Sequence, residues 1–381
     1  MFLLFFSIVL SIYFSINYYI YRHIISVFKF NFAGKKIFIL LFFVLSSSYF
    51  IYRTVDRIYP TAWVKFLGQI GSIWLAVMVY SFLLLLIYDS ILILIRIISP
   101  NYLRYILSIN NFRFYLSGFM VLLISGFIAF GYLNAGKPKV KEIHLKNHHL
   151  GKNKLSKPWK IAYASDLHIN DLFFPDAIKT LVDEVNKADV DLMLFGGDVF
   201  TEDVAHLAYH DSGDLLKNIR SRHGVFTVFG NHEYIGSLDS AINHFKNYHI
   251  DILSDSSVII DNQLVIIGRD DLSAERFFQK KRADLQELIR PESDSLFTIL
   301  IDHQPKSRIE GKDYPIDLFL SGHTHHGQLF PFNFITQKLF DNSYGLQFKE
   351  NKYYYVSSGF GFWGPPVRTG SQPELIIFII E

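Results

Sequence analysis

Apolar runs long enough to span a bilayer fill the first third of the chain. A transmembrane helix needs about 20 predominantly apolar residues. One such run could be a buried core helix, but four of them predict a multi-span α-helical membrane module over residues 1–135. We interpret the apolar segment 91–98 as an interfacial or re-entrant piece. The four predicted spans are residues 1–21, 37–52, 66–88 and 114–134.

The first run has a second interpretation as a cleavable signal peptide. Residues 1–21 lack a basic start and a small-residue cleavage site, and further apolar runs follow them. We therefore favour a membrane-spanning helix. Lysine and arginine are shared evenly between alternate loops, so the positive-inside rule does not decide the orientation.

The pattern changes after residue 136. Residues 136–158 are polar and lysine-rich, which predicts a linker, and short apolar runs then alternate with helical patterns through residues 159–381. Fully apolar strands such as 192–195 indicate a sheet that is covered on both faces. We expect an α/β domain of two layered sheets flanked by helices. Its strands are predicted at 160–165, 190–195, 224–229, 264–268, 296–301, 316–320, 353–357 and 375–380.

Composition separates the same two parts. Half of the chain is hydrophobic and 19% is charged, with a net charge of +8 through Gly136 and −6 beyond it. This balance excludes a disordered chain and a nucleic-acid-coating protein. The absence of cysteine excludes disulfides, thiolate catalysis and cysteine-ligated zinc.

Polar clusters of Asp, Asn and His follow five of the predicted strands. Open α/β sheets place their ligand crevices at the carboxyl ends of strands, so we expect these side chains to meet. Glycines beside most of the clusters permit sharp turns. The clusters are Asp166-Leu167-His168, Gly196-Gly197-Asp198, Gly230-Asn231-His232-Glu233, Asp302-His303 and the eight residues from Ser321 to Gln328.

These donors suit two divalent metal ions. Carboxylate, imidazole and amide oxygen are ligands for Mn, Fe or Zn, and the lack of sulfur argues against structural zinc. One aspartate can bridge two metals about 3.5–4 Å apart that polarise a phosphoryl group and activate water. Residues i and i+2 of a strand share a face, so Asp166 and His168 are expected to point the same way. The same expectation holds for His323 and His325.

The five clusters, in this order, resemble the calcineurin-like metallophosphoesterase superfamily over residues 159–381. The resemblance implies a metallophosphoesterase fold and a two-metal hydrolase. It implies that His232 is a non-ligand imidazole that protonates the leaving oxygen or steadies the phosphate. Histidine is also the side chain best suited to general acid catalysis at neutral pH. The implied ligands are Asp166, His168, Asp198 and His325 for one metal, and Asn231, His303 and His323 with the bridging Asp198 for the other.

The segment from Ser321 to Gln328, with 355–361 and 366–368, resembles the membrane-associated branch of bacterial phosphoesterases. His326 stands where glycine is usual, and no twin-arginine signal is present. His326 is a candidate to narrow the substrate mouth or to supply a donor. Arg368 is a candidate phosphate clamp through its forked donors, with a structural salt bridge as the other interpretation.

Resemblance to that branch implies a lipid-linked phosphate substrate. The notable example is UDP-2,3-diacylglucosamine, whose pyrophosphate is cut to UMP and lipid X in lipid A biosynthesis. Phenylalanines in predicted loops could receive acyl chains or contact the bilayer, although such residues are more often part of a domain core. They are Phe173, Phe174, Phe277, Phe278, Phe330, Phe332, Phe334 and Phe340.

Three functions therefore compete. The first is a pyrophosphohydrolase of the bacterial inner membrane with a cytoplasmic catalytic domain. The second is an outward-facing phosphodiesterase that acts on phospholipid or cell-wall polymer phosphates. The third is a non-enzymatic membrane sensor or transporter, which the complete set of metal ligands disfavours. The expected partners are the lipid bilayer and a phosphorylated lipid or nucleotide-sugar lipid, and no nucleic acid.

Overall fold

Two units divide the chain, Met1–Tyr132 with Gly364–Val367 and Leu133–Trp363 with Arg368–Glu381. The structure is a computed structural model. It describes residues 2–28, 30–56, 58–59, 61–146, 155, 157–169, 172–201, 213–306 and 310–381, with the side chains of residues 2–6 outside that description. His148 and His149 of the predicted linker also lie outside the described residues.

The described residues of the first unit form five helices, and the last of them continues to Ala135, three residues into the second unit. Side-chain oxygens of Asn31, Thr61 and Ser99 accept backbone N–H groups at the start of the second, third and fourth helices, which explains where each begins. The helices are α1 (Phe2–Val27), α2 (Phe32–Val55), α3 (Ala62–Ile98), α4 (Pro100–Ser108) and α5 (Phe112–Ala135).

Three of these helices, α2, α3 and α5, are long and apolar enough to cross a membrane, within the described residues. They correspond to the predicted spans 37–52, 66–88 and 114–134. The predicted span 1–21 falls in α1 and stays a prediction, since the side chains of residues 2–6 lie outside the description. The helices α2 and α3 pack closely, because a Cβ at Gly71 would lie only 2.6 Å from the Cα of Tyr49.

Segment 91–98 is not a separate piece. It continues α3, a helix of 37 residues, without a break. Within this helix, Asp89 Oδ2 accepts a hydrogen bond from the Tyr19 hydroxyl at 2.6 Å, and His23 Nε2 lies 3.1 Å from the same oxygen. The interpretation of 91–98 as a separate re-entrant piece is therefore wrong, and an interfacial position for this end of α3 stays a prediction.

Two six-stranded sheets build the second unit. The first has the order β1-β12-β2-β3-β4-β5 and the second β10-β11-β9-β8-β7-β6. Strands β2 to β5 run parallel, as do β7, β8, β9 and β11. The strands are β1 (Lys139–Leu145), β2 (Trp159–Ala164), β3 (Leu192–Phe195), β4 (Val225–Thr227), β5 (Asp251–Ile252), β6 (Ser256–Ile260), β7 (Leu264–Gly268), β8 (Phe297–Ile301), β9 (Leu318–Ser321), β10 (Gly345–Lys349), β11 (Lys352–Val356) and β12 (Glu374–Ile380).

Helices cover the outer faces of both sheets. The facing sides of the sheets form one apolar core that contains Trp159, Ile266 and Phe378. A second core joins the first sheet to α6 and α8, and a third joins the second sheet to α10. The predicted α/β domain of layered sheets flanked by helices is confirmed. Its helices are α6 (Ala177–Ala188), α7 (Asn231–Ile235), α8 (Leu238–Asn247), α9 (Ser273–Phe278), α10 (Leu285–Leu288) and α11 (Phe332–Leu339).

The predicted linker 136–158 is wrong in its first half. Lys139–Leu145 forms β1, which pairs in parallel with β12 at the edge of the first sheet. Leu145 is fully buried in the central core, and Ile143 packs against that core. Lys141 lies on the same face, and its ammonium lies 2.6 Å from the buried Glu374 carboxylate. A strand can therefore accept this lysine because its charge is paired.

Candidate metal centre

The predicted ligands lie together at the carboxyl ends of β2, β3, β4, β8 and β9. Six of the seven, together with His232, form three overlapping groups, and within each group the candidate ligand atoms lie within 4.8 Å of one another. The groups share Asp198 and His168, so they make one continuous cluster. They are Asp166 with His168 and His325, His168 with Asp198 and His232, and Asp198 with His303 and His323.

Left-handed backbone conformations, and not strand pleating, orient these side chains. Strand β2 ends at Ala164, before Asp166 and His168, and β9 ends at Ser321, before His323 and His325. Both pairs therefore lie beyond their strands. The expectation that strand alternation aims the two side chains of each pair the same way is therefore wrong in its reason. Asp166 and His168 do share one ligand group, whereas His323 and His325 belong to different groups. A positive φ costs a non-glycine residue about 1–2 kcal/mol and is concentrated at functional sites. The φ values are 53° for Asp166, 45° for His168, 51° for Asp198, 68° for His323 and 45° for His325.

The loop after β9 fixes the Asp166 carboxylate. The backbone N–H of His323 donates to both carboxylate oxygens, at 3.1 and 3.0 Å, and the Ser165 hydroxyl donates to Oδ2 at 2.6 Å. Gly322 permits this approach, because a Cβ there would overlap Ser165 and Asp166. The two sheets are thus joined at this carboxylate.

His168 and His325 face each other across the first group. Their Nε2 atoms are 3.1 Å apart and their rings are stacked with centroids 5.1 Å apart. His325 Nε2 also lies 3.4 Å from Asp166 Oδ1. Burial lowers the pKa of both imidazoles well below the usual value, which favours the neutral form that binds metals.

Asp198 lies at the centre of the cluster. Its Oδ2 is 3.1 Å from His303 Nε2, 3.9 Å from His168 Nε2 and 4.0 Å from His232 Nε2. Burial disfavours the charged carboxylate, but the nearby imidazoles, His303 first, outweigh it and hold the pKa of Asp198 well below its usual value. A central charged carboxylate is what a bridging ligand requires.

The second predicted metal position is held by contacts across both sheets. His303 Nδ1 donates to the Gly196 carbonyl at 2.8 Å, which directs its Nε2 toward Asp198. Burial disfavours the charged form of His303, yet the adjacent Asp198 raises its pKa well above the usual value. His323 Nδ1 lies 2.8 Å from Asn231 Oδ1, so these two predicted ligands also meet.

His232 borders both predicted metal positions. Its backbone N–H donates to Asp198 Oδ1 at 2.8 Å, and its ring lies edge-on to His168 with centroids 4.7 Å apart. The side chain is buried. Its membership of a possible ligand group means that its role as a non-ligand acid stays a prediction.

Sequence reasoning assigned no role to Glu233, which organises the loops around Asp198. This fully buried carboxylate accepts the backbone N–H groups of Gly230 at 2.7 Å, Asp198 at 3.1 Å and Phe200 at 3.2 Å. Burial and the nearby Asp198 raise the pKa of Glu233 to about 7. Its position directly after His232 in the third cluster was the available signal.

Trp363 is a second residue that the sequence did not single out. Its indole is half exposed, and its ring centroid lies 6.0 Å from that of His232. The Gln328 side chain holds it through two hydrogen bonds of 3.0 Å, one to its backbone N–H and one to its carbonyl.

The position of Arg368 does not suit the predicted phosphate clamp. It is fully buried, and all five of its N–H donors are used within the protein. Arg368 also forms no ion pair with a carboxylate among the described residues, so the interpretation as a structural salt bridge is not supported either. The acceptors are the Ser371 hydroxyl and the backbone carbonyls of His325, Ser358, Gly359 and Gly361.

His326 adopts a left-handed conformation, with φ 47°. Its Nδ1 lies 3.3 Å from the Ser343 hydroxyl, and its ring packs against Tyr344 at 4.9 Å. Partial burial, followed by the nearby Arg368, lowers the pKa of its imidazole. Its predicted role toward the substrate stays a prediction.

The donor chemistry of the cluster fits two divalent metals. Oxygen and imidazole donors converge without sulfur, and neutral imidazoles face charged carboxylates within one enclosed space. His325 Nδ1 is buried without a hydrogen-bond partner in the described part of the chain. The residues that would hold the metals are Asp166, His168, Asp198, Asn231, His303, His323 and His325.

Comparison with known proteins agrees with this chemistry. A family model described as calcineurin-like phosphoesterase matches residues 160–327. An uncharacterized metallophosphoesterase of Helicobacter pylori is 33% identical over 267 residues, which cover 68% of this chain and 68% of the relative. The chain belongs to the calcineurin-like metallophosphoesterase family.

Two further relatives of this metallophosphoesterase extend the similarity. An uncharacterized metallophosphoesterase of Campylobacter jejuni is 28% identical over 388 residues, covering 100% of this chain and 99% of its own. A transmembrane protein with metallophosphoesterase domain from Bos taurus is 30% identical over 267 residues, covering 66% of this chain and 59% of its own. The protein is therefore a metal-dependent phosphoester hydrolase, and its apolar helices make it a membrane protein.

Proposed function

We propose that this metallophosphoesterase hydrolyses the pyrophosphate of a lipid-linked nucleotide sugar, UDP-2,3-diacylglucosamine, at the cytoplasmic face of a bacterial inner membrane. The observation that carries the proposal is the short connection between a membrane helix and the catalytic domain. Helix α5 ends at Ala135 and β1 begins at Lys139. Three residues span roughly 10 Å at most, so we expect the chain to tether the domain near the membrane surface, where amphiphilic substrates are concentrated.

An apolar ridge beside the histidine motif supports an amphiphilic substrate. Phe330, Phe334, Ile335 and Leu339 lie within twelve positions of Gln328, and their side chains are between 42% and 71% exposed. Exposed large apolar side chains that lie close together commonly mark a binding or membrane-contacting surface. By contrast, Phe173 is buried against Phe362, so that residue of the predicted aromatic loops belongs to the core.

The residues of the cluster fit the hydrolysis of a pyrophosphate. Two bound divalent ions supply polarisation of the phosphoryl group and an acidified water. One P–O bond breaks, the water oxygen remains on the attacked phosphorus, and His232 supplies a proton to the departing phosphate oxygen. The products are UMP and lipid X. Glu233 keeps the loop of His232 and Asp198 in place through its three backbone hydrogen bonds.

The test uses the full-length protein in lipid nanodiscs with added Mn²⁺. Mass spectrometry follows UMP release from UDP-2,3-diacylglucosamine and from UDP-N-acetylglucosamine, with Asp198→Asn as the blank. We expect the acylated substrate to be turned over at least a hundredfold faster, because each buried CH₂ contributes about 0.8 kcal/mol. Equal turnover of the two substrates would show that the acyl chains do not contribute to recognition, and would contradict the proposed lipid-linked substrate.

A ridge variant separates acyl-chain binding from the chemistry. The double change Phe334→Ser and Leu339→Ser should lower kcat/KM for the acylated substrate and leave hydrolysis of a soluble aryl phosphodiester unchanged. Leu346→Ser on β10, which is also exposed, is the matched control. A C-terminal reporter fusion then locates the domain. Placement outside the cytoplasm would favour the outward-facing phosphodiesterase that acts on phospholipid or cell-wall polymer phosphates.

A further inference from the structure

A pocket of about 680 Å³ lies between α1, α3 and α5 in the first unit. This volume is within the ~300–1,000 Å³ that is typical of small-molecule sites. Its walls are mostly aliphatic, with Leu85 from α3 and Leu116 and Val121 from α5 among them. Two of the three helices around it, α3 and α5, are long and apolar enough to cross a membrane, so we expect an apolar chain to fill this space in a bilayer.

Three ionisable side chains line the same pocket, and they belong to three different helices. His23 lies one turn before the end of α1, Asp89 lies in the last third of α3, and Arg113 is the second residue of α5. Helix α3 is about 55 Å long, well beyond the ~30 Å hydrocarbon core, so Asp89 can lie at the level of the lipid head groups. The pocket therefore has a charged end and an apolar body, and this distribution is complementary to an amphiphile with a charged head group and an apolar chain.

Only one of the two carboxylate oxygens of Asp89 has a hydrogen-bond partner among the described residues. Its Oδ2 accepts the Tyr19 hydroxyl at 2.6 Å and lies 3.1 Å from His23 Nε2. Its Oδ1 has no hydrogen bond from the residues that the structure describes, and the side chain is 34% exposed. One carboxylate oxygen is thus available to a donor in the pocket.

Arg113 offers the opposite charge at the same end. Its side chain is exposed, and it forms no hydrogen bond or ion pair with any residue in the described ranges. Charged side chains in a membrane unit are costly unless they reach the interface or bind a counter-charge, and they commonly mark functional sites. A guanidinium binds phosphate oxygens through paired hydrogen bonds.

We propose that this pocket binds a zwitterionic phospholipid whose head group carries a phosphate and a primary ammonium. The phosphate accepts hydrogen bonds from Arg113, the ammonium donates to Asp89 Oδ1, and one acyl chain lies along the aliphatic walls. A glycerol head group offers no cation for Asp89, and a trimethylammonium group has no N–H to donate. The site is independent of the metal centre and of its substrate.

Native mass spectrometry of the full-length protein tests the proposal. The protein is released from nanodiscs that hold equal amounts of phosphatidylethanolamine, phosphatidylglycerol and phosphatidylcholine with identical acyl chains. We expect phosphatidylethanolamine to be retained about tenfold over the other two, the effect of one charge-assisted hydrogen bond. Equal retention of all three lipids by the wild-type protein would overturn the proposal, since it would indicate nonselective annular lipid.

Three variants assign the contacts. Asp89→Asn should bring the three lipids within twofold of one another, Asp89→Glu should restore the preference, and Arg113→Gln should lower retention of all three about tenfold. Arg104→Gln on α4 and Asp56→Asn at the end of α2 are controls of matched charge outside the pocket. An Asp89→Asn protein that keeps the full preference would refute the ammonium contact. If a variant does not fold, the wild-type ranking of the three lipids still decides the question.

Discussion

Replacing Arg368 by lysine separates a structural role from a phosphate-binding role. The guanidinium reaches one hydroxyl and four backbone carbonyls, and it is fully buried. A lysine ammonium has three donors, so at least two buried acceptors lose their partner. Hydrogen bonds to charged groups contribute about 1.5–3 kcal/mol each, which gives an upper range of about 3–6 kcal/mol for Arg368→Lys.

The assay compares thermal inactivation with steady-state kinetics on the full-length protein in detergent. For a domain of this size, 1 kcal/mol corresponds to about 2–4 °C in Tm, so we expect a fall of about 6–24 °C. Measured well below that temperature, KM for an aryl phosphodiester should change less than threefold, because no donor of Arg368 is available to substrate.

The matched control is Arg290→Lys. The Arg290 side chain makes two hydrogen bonds, to the hydroxyl and the carbonyl of Ser257, and it lies at the surface. Its Tm should change by no more than a few degrees. A stable Arg368→Lys protein with a tenfold higher KM would refute our structural assignment and restore the phosphate clamp.

Three further changes test the metal centre. Asp198→Asn should lower bound Mn²⁺ below two per chain in elemental analysis and reduce activity more than about 100-fold, and normal metal content would contradict a bridging role. His232→Ala should keep its metal but lose about 10²–10⁴ in rate, with a smaller loss for substrates whose leaving group needs no proton, whereas equal losses would indicate positioning. Glu233→Gln should weaken metal affinity about 10–100-fold with little change in KM, since an amide places an NH₂ group against backbone N–H donors. Unchanged affinity in a metal titration would show that its three hydrogen bonds are dispensable.

Strongly apolar strands and the residues that follow them were predictable from the sequence. All eight predicted strands are present, because a strand buried on both faces leaves an uninterrupted apolar signal. The convergence of Asp166, Asp198 and His303 followed from placing polar residues after parallel strands. Each of these inferences needed only local sequence and one general rule of sheet geometry.

Contacts made by distant parts of the chain were not predictable. Strands β1 and β10 lie at sheet edges and are largely exposed, so their sequences read as linker and loop. The interpretation of Arg368 failed because its acceptors are backbone carbonyls, which carry no signal in the sequence. Likewise, residue type alone does not predict the left-handed conformations of Asp166 and His325.

The position of β1 determines how the catalytic domain can be cut from its membrane helices. A fragment that starts at Trp159 would lose β1 and uncover the full length of β12, seven residues that are almost all buried. An uncovered apolar edge recruits strands from other molecules, so such a fragment would tend to aggregate or to exchange strands. It would also leave Glu374 without the ammonium of Lys141. A soluble enzyme should therefore begin between Ala135 and Lys139, and the last membrane helix leads directly into a strand that the catalytic sheet needs.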